Sequence, residues 1–399
     1  MKAVIIGAGK EALHTIEKAR EQGLTVIAMD GDPKAAGLKA ADEAMTVDIS
    51  DEKAAITAVE RVKPDFLLTV PIGRYLTTTG AVNDALGLPG ISREAAQNCT
   101  DKWRFHQLLN GQGLRNHKSV LLPSHPSVKA AENPFAGFSY PVILKPRYGS
   151  GSRGILIAEN QDELRSLLSA GNLDDYLLEE CVQGEEYGID GAVIQGEFHL
   201  ILLRKKENTP FPARQAVAYF NVLSREEFYA QVEEHLKQVV QILKLQECLV
   251  HGDIIRTPNG PFVIEISARP SGHNLHNLFT PLATGVDMAK EYICYRMGKA
   301  YHFEPVSHKR MMIHYFDMEG RVNGVPSEEE ICRTVEDRNC ILRKWHCNIR
   351  KGEMLKKISD GHSLMGRGYF ILERRGESSN AEKELKQAAE TIKTLFRTV

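Results

Sequence analysis

The first 32 residues restrict the fold of this chain more than any other stretch. KAVIIGAG (2–9) is an apolar run that ends in glycines. EALHTIEKAREQG (11–23) has helical spacing and stops at Gly23, and TVIAMDGD (25–32) is a second buried strand closed by Asp30-Gly31-Asp32-Pro33. A further strand, DFLLTV at 65–70, ends at Pro71-Ile72-Gly73. Strands alternating with helices build a parallel sheet with helices on both faces. This unit is expected to end near residue 97.

A chain of 399 residues has room for two to four domains of roughly 100–200 residues each. Its 42% hydrophobic content excludes wholesale disorder. With 50 Lys+Arg against 52 Asp+Glu there is no global field to draw in nucleic acid or an anionic membrane, so neither partner is expected. No apolar run reaches about 18 residues, the length of a membrane span. The N-terminal apolar run is short and meets Gly, Lys and Glu, which breaks the signal-peptide pattern. Seven cysteines, odd in number and without a CxxC pair, read as reduced thiols in the cytoplasm.

Farther on, DKWRFHQLLNGQGLR (101–115) reads as an amphipathic helix and YPVILKPRYGSGSRGILIA (140–158) as strand, glycine-rich turn and strand. A helix at 161–170 follows, then strands YLLEECV (176–182), EYGIDGAVIQ (186–195) and FHLILLRKK (198–206). A helix covers 226–245. LVHGDIIRTPNGPFVIEIS (249–267) is a hairpin turning at Asn259-Gly260. Short strands, a helix at 327–334 and a final helix at 381–396 complete the chain.

Several groups could carry chemistry. Gly7-Ala8-Gly9-Lys10-Glu11-Ala12 is G-x-G-x-x-A between a strand and a helix, the setting for a dinucleotide pyrophosphate, with Asp30 where a ribose-binding acid would sit. An NAD-dependent oxidoreductase is one reading; a tight turn without a ligand is the other. Lys145 ends an apolar strand just before Gly149-Ser150-Gly151-Ser152-Arg153-Gly154, where backbone amides and hydroxyls could clamp a polyphosphate. The loop lacks the G-K-[ST] ending of a P-loop. A plain hairpin turn beside a surface lysine is the alternative. Glu179 and Glu180 lie on a strand edge, and Glu186 follows Glu179 by seven residues. One carboxylate could accept from an exocyclic amine and another from ribose hydroxyls, or all could form a solvated acidic rim.

The hairpin can bring Asp253 and Glu265 side by side. Paired like charges repel unless a cation lies between them, and Mg²⁺ takes one or two carboxylates plus phosphate oxygens. A salt bridge to Arg256 or Arg269 is the competing role. Arg204-Lys205-Lys206 and Arg214 could present cations to an acidic or amino-acid substrate, or form a solvated basic loop. Ser271-Gly272-His273-Asn274 could turn tightly and show His273 or Asn274 to a reacting carboxylate. His273 and His276 have no third partner at zinc spacing. Cys181 reads as a small core residue.

Taken in order, Asp101-Lys102, VILKP, GSGSRG, LLEECVQGEEYGID, HGDII and VIEISARPSG resemble the ATP-grasp superfamily of carboxylate–amine ligases, across roughly residues 1–300. The resemblance implies an α/β fold, α+β in the grasp region. A Rossmann-like pre-grasp domain would occupy 1–97. The ATP-grasp domain would span 98–305, with a lid subdomain at about 121–187, and a small closing domain would follow at 306–399. It also implies ATP and Mg²⁺ as cofactors, one or two ions, for which Mn²⁺ could substitute. Lys102 and Lys145 would contact phosphates beneath a lid of residues 149–154. Glu179, with Glu180 beside it, would accept from adenine, the Val182 backbone would hold the ring edge, and Glu186 would bind ribose. Asp253 and Glu265 would hold magnesium. Ser267 stands where the family often has Asn, which puts a second ion in doubt. Arg269 would stabilise phosphate charge or anchor a substrate carboxylate; Gly73, Arg74, Arg214, His273 and Asn274 would border the substrates.

The implied reaction activates a small carboxylate, an amino acid by preference, as an acyl phosphate. An amine then attacks to form an amide or dipeptide. Bicarbonate or formate activation and a nucleotide-binding regulatory protein are the alternatives within the fold. A homodimer is expected from the closing domain.

Overall fold

The computed structural model describes residues 1–399 apart from 123–136, 150, 152, 171, 211–213, 359 and 360. Strands β1 (Lys2–Ile6), β2 (Thr25–Asp30), β3 (Glu43–Thr46) and β4 (Phe66–Leu68) form a four-stranded parallel sheet in the order β3-β2-β1-β4. Alternate residues enter two separate cores. Ala3, Ile5, Val26 and Ala28 face one side with Ile16, while Val4, Ile6, Ile27 and Met29 face the other with Ala55 and Val59. Helices Leu13–Glu21 and Glu52–Val62 therefore lie on opposite faces, as the alternation of strand and helix requires.

Helix Lys102–Gly111 leads into a second, antiparallel sheet. Its strands are β5 (Ser119–Leu121), β6 (Val142–Pro146), β7 (Leu156–Ala158) and β8 (Tyr176–Glu180), in the order β5-β8-β6-β7. Leu164 and Leu168 of helix Gln161–Ala170 pack on Leu144 and Leu178.

The third sheet has eight strands. β9 (Glu185–Ile194), β10 (Glu197–Asn208), β11 (Ala216–Val222), β12 (Cys248–Thr257) and β13 (Gly260–Ser267) are joined by β14 (Met311–Tyr315), β16 (Cys340–Cys347) and β18 (Gly368–Arg374), in the order β13-β12-β9-β10-β11-β14-β18-β16. β15 (Gly320–Arg321) and β17 (Met354–Leu355) form a small separate ladder. The sheet runs on past the boundary expected at 305–306, so the C-terminal region shares its strands with the region before it. Val232, Leu236 and Val239 of helix Glu227–Ile242 cover one face, against Ile189, Leu203, Val250 and Ile254. Helix Ala381–Thr394 adds Leu385, Ala388 and Ile392 to a C-terminal core with Phe316 and Phe370.

The sequence reading needs correction at several places. The helix expected to reach 115 ends at Gly111, before the Gln112–Gly113 turn. Those expected to reach 245 and 396 end at Ile242 and Thr394. Arg204-Lys205-Lys206 lies on the strand expected at 198–206 and not in the solvated basic loop that was the other reading. β10 continues through these residues to Asn208, with β9 on one edge and β11 on the other. No helix among the described residues is long and apolar enough to cross a membrane.

Candidate active site

Helix Glu227–Ile242 covers one face of β9, β10, β12 and β13; the opposite face carries apolar residues, among them Ala192, Leu249, Tyr219 and Ile313, and a polar stretch, the polar face. Side chains alternate along each strand, and register partners in neighbouring strands share a face. The polar face therefore carries Glu186, Gly188 and Asp190 of β9, Arg204 and Lys206 of β10, His251 and Asp253 of β12, and Glu265 and Ser267 of β13. Asp253 pairs in register with both Gly188 and Glu265, and His251 with both Asp190 and Ser267. The Asn259-Gly260 turn pairs Thr257 with Gly260 and Ile254 with Val263, and a β-bulge between Asp253 and Ile254 then brings Asp253 opposite Glu265, so turn and bulge together set the two candidate metal-binding carboxylates across from each other.

These charges are arranged in opposite pairs. Arg204 is fully buried, with Nη1 2.5 Å from Asp190 Oδ2, which also accepts from Thr280 Oγ1 at 2.9 Å. Arg204 Nη2 lies 3.2 Å from His251 Nδ1. Burial pushes the Asp190 carboxyl up, but Arg204 and His251 outweigh it and hold the group well below the usual carboxylate range. Lys206 Nζ is 2.6 Å from Asp253 Oδ1. Burial opposes ionisation of Asp253 as well, and the ammonium again wins, lowering its pKa. Arg269 Nη1 donates to the Pro270 carbonyl at 2.8 Å. Burial lowers the Arg269 pKa against the attraction of Glu265, Glu11 and Asp253.

A second cluster sits where β6 and β8 meet. Glu179 is buried, ion-paired to Lys145 through one oxygen, with Arg115 Nη2 2.9 Å from the other. His106 Nε2 is 3.5 Å away. Burial raises the Glu179 pKa, but Lys145 and Arg115 bring it down to about 2. Burial first, and Arg115 second, lower the His106 pKa to about 2, so that imidazole is neutral. The structure engages both oxygens of Glu179 within the protein; it does not form the solvated rim that was one reading. Lys145 is likewise buried rather than a surface lysine.

The glycine segment is anchored from the helix that follows Asp101. Asp101 caps this helix by accepting from the Trp103 and Arg104 amides. The same carboxylate holds Arg147 at 2.6 and 2.8 Å and Tyr148 Oη at 3.2 Å. Lys102 Nζ donates to the Gly149 carbonyl at 2.7 Å, which puts this cation at the base of the segment. Gly149, Gly151 and Gly154 have φ of +132°, +70° and +73°, where a side chain would be strained. Ser150 and Ser152 lie outside the described residues. Glu180 Oε1 accepts from the Ser139 amide at 2.8 Å, and Val182, just beyond β8, is half-buried. Glu186 accepts from Asn208 Nδ2 at 2.7 Å and is ion-paired to Arg214.

The N-terminal glycine turn meets this region through Glu11, whose Oε1 accepts from the His273 amide at 3.0 Å. Asp30 turns inward: its two oxygens accept from the Ala8 and Asp32 amides at 2.6 and 2.9 Å. That carboxylate closes the turn, and Gly37 N–H reaches the Ala8 carbonyl at 2.7 Å above it. Among the described residues no hydrogen bond or ion pair joins Gly73 or Arg74 to the polar face; the Arg74 guanidinium lies over the Tyr75 ring.

Sequence reasoning missed Arg115, His106, Asp190, Gly188 and Glu11. Two of these left a local signal: a glycine inside an apolar strand and an acid inside a glycine turn. The other three are marked only by their partners in space. Among the described residues, no three acidic, histidine or cysteine side chains cluster as a metal site. A cavity of about 1120 Å³ lies on the opposite side of the sheet, lined by residues that include Gly184, His235, Arg256 and Pro258, away from these charges.

Residues 138–276 match the ATP-grasp domain family. The L-arginine-specific L-amino acid ligase of Bacillus subtilis is 23% identical over 247 residues, 58% of this chain and 59% of that protein. Alanine–anticapsin ligase of Bacillus subtilis strain 168 is 27% identical over 221 residues, 48% of this chain and 46% of that protein. The chain thus spans less than two thirds of the length of these curated relatives. The crystal structure of L-amino acid ligase from Bacillus licheniformis superimposes with a TM-score of 0.76 at 19% identity, covering 98% of this chain and 97% of that one. This chain therefore carries an ATP-grasp domain at residues 138–276 and has the ATP-grasp fold along its length.

Proposed function

We propose that the protein is an ATP- and Mg²⁺-dependent ligase that joins a small carboxylate, an amino acid by preference, to an amine. The observation that carries this reading is the register pair Asp253–Glu265, set on a face that also holds Lys206 and Arg269. Two carboxylates and the Ser267 hydroxyl suit one Mg²⁺ completed by phosphate oxygens. The Lys206 ammonium already marks the Asp253 carboxylate as a place for positive charge. Asp253 and Glu265 would hold the ion, which supplies neutralisation of phosphate charge when bound. The similarity to the L-arginine-specific L-amino acid ligase and the alanine–anticapsin ligase of Bacillus subtilis supports the same class.

In this reading Lys145 and Lys102 hold the nucleotide phosphates, and Lys145 stays oriented by its Glu179 partner. Arg269 faces the charge that builds on the transferring phosphoryl group or on the substrate carboxylate. Fixed cations act strongly there because they need no reorganisation during reaction. Glu186 would bind ribose, and the Val182 backbone would hold the adenine edge. An acyl phosphate must be kept from water, and residues 149–154, with glycines in left-handed conformations, are the lid.

The test is phosphate release when ATP and Mg²⁺ are mixed with pairs of amino acids, with the product identified by mass. Release that needs both partners, and a product of their combined mass less water, supports the ligase. Release that depends on bicarbonate would move the assignment to a carboxylating enzyme. No release with any pair or acid would end the ligase reading.

A further inference from the structure

The turn after Arg269 is strained, and it is held by residues far before and well after it in the chain. His273 and Asn274 are consecutive non-glycine residues with φ of +61° and +57°. Such a pair persists only where its surroundings impose it. Part of the restraint is local: the Leu275 amide donates to the Gly272 carbonyl at 3.1 Å, and the Phe279 amide to the Asn274 carbonyl at 3.0 Å. The rest is not. The His273 amide donates to Glu11 Oε1 at 3.0 Å, from the N-terminal glycine turn. The His273 carbonyl accepts from Tyr315 Oη at 2.5 Å, from β14 in the C-terminal region. Both polar groups of one strained peptide residue are thus satisfied by side chains from regions before and after the ATP-grasp domain.

The His273 side chain meets a third region. A Cβ added at Gly361 would stand 3.2 Å from His273 Cε1 and 3.6 Å from Gln215 Oε1. Arg269 lies on the other flank, close enough to Glu11 for the two charges to interact.

We propose that Glu11 and Tyr315 are positioning residues that lock the Gly272–Asn274 turn in its left-handed form and so set where His273 meets the substrate carboxylate beside Arg269. The assignment of His273 and Arg269 to the substrate rests on the ligase reading above; the locking of the turn does not. Toward the turn Glu11 acts as a hydrogen-bond acceptor, so the lock needs its oxygen and not its charge. A direct role in binding a substrate ammonium would demand the charge.

The experiment compares Glu11→Ala, Glu11→Gln and Tyr315→Phe in the full chain by two measurements. The first is amide hydrogen exchange of a peptide spanning 271–278, which needs no activity. Glu11→Ala and Tyr315→Phe are expected to speed exchange in this peptide, and Glu11→Gln to leave it as in the wild type. The second is steady-state kinetics. KM for the amino-acid substrate is expected to rise about tenfold in Glu11→Ala and Tyr315→Phe, the loss of roughly one hydrogen bond, while KM for ATP stays within about twofold. Glu11→Gln should stay within about threefold of wild type for both substrates. Should Glu11→Ala fail to fold, the nearly isosteric Glu11→Gln and Tyr315→Phe still decide the matter. Unchanged exchange in Tyr315→Phe and Glu11→Ala, or a Glu11→Gln variant as impaired as Glu11→Ala, overturns the proposal. A wild-type protein without turnover on any substrate pair removes the ligase reading alone, since the exchange data still report on the turn.

Discussion

Gly188 stands opposite Arg204 in the β9–β10 ladder, and its missing side chain admits the guanidinium to Asp190. A Cβ at 188 would lie 3.0 Å from Arg204 Nε and 3.2 Å from Cζ. The φ of Gly188 is not in the left-handed region, so space rather than backbone freedom explains this glycine.

Gly188→Ala should therefore displace Arg204 and destabilise the fold by about 1–3 kcal/mol, the usual cost of overpacking. Arg204→Met should cost more, about 3–5 kcal/mol, because Asp190 is left buried and charged without its partner. Urea unfolding of both variants checks the order. A Gly188→Ala protein as stable as wild type would show that the guanidinium has room to spare.

Acid should weaken this protein in two stages. His106 has an ordinary pKa of 6.5 and a folded value of about 2, lowered by burial and then by Arg115. As pH falls below 6.5 the unfolded chain gains a proton that the folded chain refuses, and stability declines. Glu179 has an ordinary value of 4.5 and a folded value of about 2, with burial outweighed by Lys145 and Arg115. Its contribution is complete above pH 4.5 and is lost as pH falls from there toward 2. Both depressed values act in the same direction. Urea midpoints measured from pH 7 to pH 4 should fall throughout and more steeply below 4.5; a flat profile would contradict the buried cluster.

Glu265→Ala should lower metal-dependent ATP turnover by about 100-fold or more, comparable with the loss of one fixed electrostatic contact at a transition state. Its melting temperature should shift by only a few degrees, since Glu265 is half-buried at the end of a hairpin strand. Near-full turnover in this variant would remove Glu265 from the metal site.

Asp101 bears on the proposed lid through Arg147 and Tyr148. Asp101→Ala removes a helix cap and should cost about 1–2 kcal/mol. Asp101→Asn keeps a capping oxygen but weakens the grip on Arg147, so it should retain more stability. Both variants should be cleaved faster by protease within 148–154 than the wild type. Unaltered cleavage of that segment would show that Asp101 acts on the helix alone.

In the proposed ligase Lys145 joins the nucleotide site to the buried cluster, so Lys145→Ala should lose both affinity and stability. Binding of a fluorescent ATP analogue should weaken at least about tenfold if the ammonium meets a phosphate. A stability loss with unchanged nucleotide affinity would mark the lysine as purely structural.

The sequence by itself determined the elements whose causes are local. Apolar and polar periodicity placed the parallel strands and the long helices, and Asn259-Gly260 placed the hairpin that carries Asp253 and Glu265, though not the bulge that brings the two opposite each other. These features depend on contacts within about a dozen residues, where turn chemistry and side-chain alternation suffice. The glycine turn was legible as a turn, but its use of Asp30 was not, because an acid that closes a loop and one that awaits a ribose look alike in a string of letters. Tertiary structure alone decided which charges meet. Arg115 reaches Glu179 across 64 residues and Glu11 reaches His273 across 262. It also made Arg204, read as a candidate substrate cation, a buried partner of Asp190. A charge carries no record in its own neighbourhood of the strand that will lie beside it; only the order of strands in the sheet supplies the opposite charge, and with it the reason the group can be buried at all.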